Sequence, residues 1–172
     1  MPDALTPVEA ARERAAIFDP ILIYTDAIDS KQFERLADAF HPDASLDYGE
    51  GYAGQSLRVI ITWMTDAHAK LIGSQHRLTN FFIDQVADGT AKTRTYVDAI
   101  LIGGPPAAPL TYRDVGTYHD QLVLDGERWL IMSRQYKRLL REGDIEALRA
   151  AMKRSQPADY DYPAGSGVGK AC

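Results

Sequence analysis

Apolar residues Ile17, Ile21, Tyr24 and Ile28 recur at intervals of four, three and four, which is one buried stripe of a helix. Thr6-Pro7-Val8-Glu9 supplies its start, with a Thr cap, Pro at the first helical position and Glu three residues after the cap. Asp19-Pro20 falls inside the stripe, where the missing donor of proline predicts a restart or a kink. Ser30 then caps a short helix whose Phe33, Leu36 and Phe40 form a second stripe, ended by His41-Pro42-Asp43. A short strand is expected at Ser45–Tyr48, then the Gly49–Gly54 turn, then a third helix over roughly 55–70 carrying Val59, Ile60, Trp63 and Met64 inward.

Beyond Lys70 the period changes from helical to two. Strands are expected at 74–86, 91–102, 110–123 and 128–137, separated by Asp88-Gly89, Gly103-Gly-Pro-Pro106 and Asp125-Gly126. A last helix spans about 143–154, and the tail Gln156–Cys172 reads as irregular. Helices first and long antiparallel strands afterwards predict an α+β fold rather than an alternating parallel one. The helices must cover the concave side of a curved sheet, which leaves a blind pocket suited to a small ligand. Nothing repeats along the chain, so 172 residues make one domain, with a core over about 10–140 and a C-terminal helix and tail over 143–172.

Composition narrows the partners. A net charge of −5 excludes a general nucleic-acid binder, which needs a concentrated basic face. The cluster Lys137-Arg138 through Arg141 stands beside acidic residues and reads as the solvated start of the last helix. No basic-then-apolar signal opens the chain and no apolar run reaches membrane-spanning length, so a cytoplasmic location is expected. Cys172 is the sole cysteine, which excludes an intrachain disulfide and a Cys-rich metal site. The four histidines show no HxH or HExxH spacing, and no glycine-rich strand–turn–helix fingerprint is present, so neither a metal nor a nucleotide cofactor is expected.

Candidate chemistry lies in Ser74-Gln-His-Arg-Leu-Thr-Asn80 and Ile23-Tyr-Thr-Asp-Ala-Ile-Asp29. Strand parity puts His76 and Asn80 on one face, while Asp29 ends the first helix with a carboxylate. A histidine on the sheet wall and an aspartate at the end of a helix packed across it can form an oriented general base, because imidazole titrates near neutrality and a carboxylate fixes its tautomer. Each residue also has a plainer role: Asp29 can end the helix or pair with Lys31, Tyr24 belongs to the apolar stripe, and Tyr48 can pack beside Leu46. Trp63 and Trp129 read as core or pocket wall; Tyr118 and His119 have opposite parity, so one of them faces inward. His68 near the end of the third helix and His41 in a turn read as surface or capping residues.

Taken in order, Tyr24, Asp29, Tyr48, His76, Thr79-Asn80, Gly116-Thr-Tyr118, Asp120 and Gly126-Glu-Arg-Trp129 resemble the SnoaL-like branch of the NTF2-like superfamily over about residues 10–140. Within it the chain is most similar to the group of scytalone dehydratase, hexachlorocyclohexane dehydrochlorinase and bile-acid 7α-dehydratase. That resemblance implies a cone-shaped barrel and an Asp–His pair acting without metal or organic cofactor. It places Asp29 and His76 at the pair and Tyr24, Tyr48 and Tyr118 in the pocket; Tyr24 is expected to be catalytic, and Tyr48 and Tyr118, with Trp63 of the wall and Asn80 of the His76 face, to bind the substrate. The expected activity is a lyase removing water from a hydroxylated ring ketone of steroid or polyketide type. Alternatives on the same fold are an isomerase or polyketide cyclase using the same pair, or a non-catalytic ligand-binding or dioxygenase small-subunit role. The arginine of the dehydrochlorinase has no evident counterpart in Gln121-Leu-Val-Leu-Asp125, which favours hydroxide over halide as leaving group. A small-molecule substrate and a homo-oligomer are expected, trimer ahead of dimer, because Phe81, Ile83 and Val115 on the outer sheet face would need cover. The tail around Asp159–Tyr162 is expected near the pocket mouth.

Overall fold

A capped helix opens the chain: the Thr6 hydroxyl accepts from the Glu9 amide at 3.3 Å, and the Glu9 carboxylate accepts from the Thr6 amide at 2.8 Å. This helix, α1, runs unbroken over Pro7–Asp29 with Pro20 inside it. The expected restart at Pro20 does not occur. One lost hydrogen bond weighs less than the burial of Ile17, Ile21, Tyr24 and Ile28, each 1% exposed or less. The structure, a computed structural model, describes residues 5–49, 53–105 and 107–154; the expectations for the tail, including the lid at Asp159–Tyr162, lie outside the described residues.

After α1 a 3₁₀ helix, Phe33–Asp38, leads into strand β1, Phe40–Asp47. The strand β2, Ala53–Gln55, and helix α2, Leu57–His68, precede four long strands: β3 Gly73–Ala87, β4 Thr90–Gly103, β5 Leu110–Asp125 and β6 Arg128–Glu142. Helix α3, Ile145–Arg154, follows. The fold is α+β: one curved, unclosed sheet in the order β2-β1-β6-β5-β4-β3, with the N-terminal helices against its concave face. Its neighbours are antiparallel except β1 and β6, which run parallel. His41-Pro42-Asp43 therefore lies in a strand, not a turn. The β1–β6 register breaks between Phe40 and Ser45, and the break accommodates a proline that has no ladder donor.

The β3–β4 hairpin turns at Asp88 and Gly89, both with positive φ (49° and 70°), the geometry that matches the twist of the flanking strands. Two other expectations about the long strands need correction. Lys137–Arg141 belongs to β6 rather than to a helix start. In β3 the register shifts between Thr79 and Phe82, and Asn80 there takes φ 50°. That bulge reverses parity. Ser74, His76 and Leu78 are the sheltered residues before it, Phe81 and Ile83 after it. Phe81 accordingly stacks on Phe18 of α1 at 4.3 Å, so it and Ile83 serve the core rather than the outer face.

A small second cluster, Leu71, Tyr112 and Leu148, holds α3 against β4 and β5. Gly103 permits this contact, since a Cβ there would stand 2.5 Å from a Leu148 methyl. Among the described residues no helix is long and apolar enough to cross a membrane.

Candidate active site

Strand β3 is the last strand of the sheet, so alternate backbone donors on its outer edge have no ladder partner. Asp29, the final residue of α1, docks on that edge. Its Oδ2 accepts the backbone N–H of His76 at 2.7 Å, and its Oδ1 accepts the Ser74 hydroxyl at 2.8 Å and the His76 ring Nδ1 at 2.7 Å. The His76 side chain is 5% exposed. A carboxylate only accepts, so Nδ1 keeps its proton, and whenever the ring is neutral the bare nitrogen is Nε2. That nitrogen has no hydrogen-bond partner among the described residues. Burial works against the charge of Asp29, but the hydrogen bonds and charge of His76 and the Ser74 hydroxyl outweigh it and hold the carboxyl below its usual range.

Tyrosines close around this pair. The Tyr24 and Tyr48 hydroxyls are 2.8 Å apart, and the Tyr24 ring meets His76 edge-on at 6.2 Å. Tyr118 lies inward as expected and meets Tyr24 at 5.9 Å; Trp63 meets Tyr48 at 5.3 Å. Burial pushes Tyr24 and Tyr118 well above the usual phenol range, with neighbouring tyrosines adding to it, and pushes Tyr48 up against the opposing charge of Arg134. All three are therefore protonated donors at neutral pH.

The residue that sequence reading missed is Arg134. Its guanidinium carbon lies 3.9 Å from the Tyr118 ring centre and 4.3 Å from that of Tyr24. Nε and Nη2 donate to the two oxygens of Asp120 at 2.7 and 2.8 Å, with both side chains fully buried. Burial opposes the charge of Arg134, but Asp120 outweighs it and keeps the group cationic. Its Nη1 is buried and has no hydrogen-bond partner among the described residues, and the same holds for the hydroxyls of Thr93 and Thr95. The strand register sets Thr93 opposite Asp120, and Asp120 opposite Arg134. An arginine thus does reach the site, from β6, the strand that carries Trp129, rather than from the one before it. The only hint in the sequence was an Asp120–Arg134 pair of inward positions on adjacent strands.

His68 also belongs here, against the expectation of a surface or capping role. It is half-buried on α2, and its ring centre lies 6.4 Å from that of His76. Its Nδ1 meets the Met64 carbonyl at 2.9 Å. Burial, reinforced by His76, lowers its pKa to about 4. Asn80, by contrast, is exposed at the bulge and does not share the face of His76. His119, of opposite parity to Tyr118, lines an open depression of about 590 Å³ with Asp47, Lys92, Gln121 and Ser133 among others; Thr93, Asp120 and Arg134 also line it, whereas Asp29 and His76 do not. Among the described residues no group of three or more His, Cys, Asp or Glu side chains could hold a metal ion.

The chain belongs to the SnoaL-like domain family, whose profile matches residues 9–135. No curated protein matches the sequence significantly. Solved structures share the fold. One, from Novosphingobium aromaticivorans and provisionally named a scytalone dehydratase, is 21% identical, with TM-score 0.71 over 78% of this chain and 89% of that one. A hexachlorocyclohexane dehydrochlorinase of LinA type 3 from Novosphingobium barchaimii is 14% identical, with TM-score 0.69 over 81% of this chain and 95% of that one. The β subunit of an aromatic-ring-hydroxylating dioxygenase, assigned provisionally in Novosphingobium aromaticivorans, is 15% identical, with TM-score 0.63 over 76% and 92%. At these identities the solved structures show that the fold is shared.

Proposed function

We propose that this protein is a hydro-lyase that removes water from a hydroxylated ring ketone of steroid or polyketide type. The observation that carries the reading is the bare Nε2 of His76, whose opposite nitrogen is fixed on Asp29 at 2.7 Å. Nε2 takes the proton from the carbon next to the carbonyl, and the electron pair of that C–H bond moves into an enolate. Asp29 stabilises the imidazolium so formed. The enolate collapses to a C=C bond as the neighbouring C–O bond breaks, and the imidazolium proton leaves with the hydroxyl as water. Atoms and charge balance with the base regenerated.

Tyr24 and Tyr48 share one hydroxyl–hydroxyl hydrogen bond; the second phenolic proton meets a weak acceptor, the Met64 sulfur 3.9 Å from the Tyr24 hydroxyl, and can turn instead to the carbonyl or the leaving oxygen. Arg134 supports that polarity from behind, with its charge against the Tyr24 and Tyr118 rings. An isomerase or cyclase would use the same first step and return the proton to carbon.

Incubation with a panel of hydroxylated ring ketones, read by mass spectrometry for loss of one water, tests the reading. His76→Ala should abolish the loss; Tyr48→Phe should slow it by roughly 2–4 kcal/mol of barrier at most. Wild-type rates in the His76 variant overturn the assignment. We propose further that the chain assembles as a homo-oligomer, trimer ahead of dimer. Phe82, Tyr96 and Leu124, 40 to 45% exposed, support this by leaving apolar surface outside the core. A monomer in light scattering at micromolar concentration would end that proposal.

A further inference from the structure

His68 has no part in the chemistry above, yet it stands beside it. It occupies the last turn of α2, where its Nδ1 turns back to the carbonyl of Met64 one turn earlier, at 2.9 Å. A carbonyl can only accept, so Nδ1 is the protonated nitrogen. The neutral ring then has a single remaining capacity, a lone pair on Nε2, on the other side of the ring. No described residue hydrogen-bonds that atom. Its ring centre is 6.4 Å from that of His76, so a ligand in reach of the His76 base is also in reach of His68.

This nitrogen cannot protonate a leaving group, because its one proton is committed to Met64. It can only receive one. A ligand carbonyl or ether placed there would face an acceptor with an acceptor, whereas a hydroxyl would be satisfied.

We infer that His68 is a specificity-determining residue whose Nε2 accepts a hydrogen bond from a hydroxyl that the substrate retains through the reaction, close to the carbon deprotonated by His76. The inference rests on the proposed elimination only for where the substrate lies. Burial and the nearby His76 favour the neutral ring that this role needs, lowering the pKa to about 4. The substrate class is accordingly a ring ketone carrying a second hydroxyl or phenol besides the one expelled.

The test uses the full-length protein and two flat probes, 2-naphthol and its methyl ether, which differ in the donor alone. Binding is followed by calorimetry and by the ¹⁵N resonances of the His68 ring. In the wild type, 2-naphthol should bind about 3- to 10-fold more tightly than the ether, the range of one neutral hydrogen bond. Only 2-naphthol should move the Nε2 resonance. His68→Leu should bring the ratio to about one, and His68→Gln, which keeps an acceptor, should restore part of it. An unchanged ratio in His68→Leu, an Nε2 resonance indifferent to 2-naphthol, or no binding of either probe overturns the inference. The elimination reading fails separately, by dehydration that survives His76→Ala, and these binding experiments require no turnover.

Discussion

Asp29 holds His76 twice: one carboxylate oxygen takes the backbone N–H and the other takes the ring, each at 2.7 Å. The first contact fixes where the residue sits on the sheet edge, and the second fixes which way its ring is turned. A helix end and a strand edge, each with unmet hydrogen-bonding capacity, thus satisfy one another while building a candidate base.

Asp29→Asn keeps the shape and removes the charge. The amide can still accept on one oxygen, but its nitrogen faces a donor wherever it is placed. Turnover should fall by a factor on the order of 10³ to 10⁴, as in a triad whose aspartate is neutralised, while circular dichroism shows a folded protein. In the parent, the lowered pKa of Asp29 means that its stabilising contribution is complete above the ordinary value of 3.8 and is lost as the pH falls through the folded value beneath it. Acid titration of thermal stability should show a difference between parent and Asp29→Asn above pH 3.8 that narrows below it.

The His68 ring acts in the same direction over a higher pH window. Its folded pKa, about 4, lies below the ordinary 6.5, so the unfolded chain binds the extra proton first. Stability is unaffected above 6.5 and declines as the pH drops from 6.5 towards 4. Discounted for the partial exposure of the ring, the decline should be on the order of 1–2 kcal/mol. Denaturant midpoints measured across that range should fall less steeply in His68→Gln than in the parent, and parallel curves would contradict the assignment.

Asp120 and Arg134 form a fully buried pair, with bonds of 2.7 and 2.8 Å. Removing one partner strands the other. Asp120→Asn should cost about 3–5 kcal/mol in equilibrium unfolding. Arg134→Met combined with Asp120→Leu should recover most of that cost, because no unpaired charge remains, yet it should lose activity if Arg134 polarises the tyrosines.

Gly116 has no room for a side chain. A Cβ would collide with the Tyr136 ring and the Lys137 carbonyl across the strand pair. Tyr136 in turn lies 5.2 Å from Tyr48 and donates to Asp114 at 2.6 Å. Gly116→Ala should therefore destabilise by about 1–3 kcal/mol and weaken ligand binding together with stability, whereas Gly126→Ala, at a turn with open space around it, should leave binding intact.

The sequence by itself determined the elements, because periodicity and turn chemistry are local. The stripe Ile17, Ile21, Tyr24 and Ile28 is the buried face of α1, and the four long strands fall within a few residues of their expected bounds. It also singled out Asp29 and His76, since a carboxylate at a helix end and a histidine on a sheltered strand face are unusual enough to notice. What only the tertiary structure decided has a common cause, the dependence of a side chain's environment on partners distant along the chain. Asn80 left the site because one bulge reverses strand parity, and a bulge is set by pairing with β4 rather than by the residues of β3. Arg134 entered it because Asp120, brought opposite by the β5–β6 register, offsets the cost of burying a guanidinium; in the sequence it is one basic residue among several. His68 joined it because the Met64 carbonyl and the approach of α2 to β3 turn a helix-end histidine inward. Local pattern fixes which face a residue presents; only the assembled sheet and helices fix what that face meets.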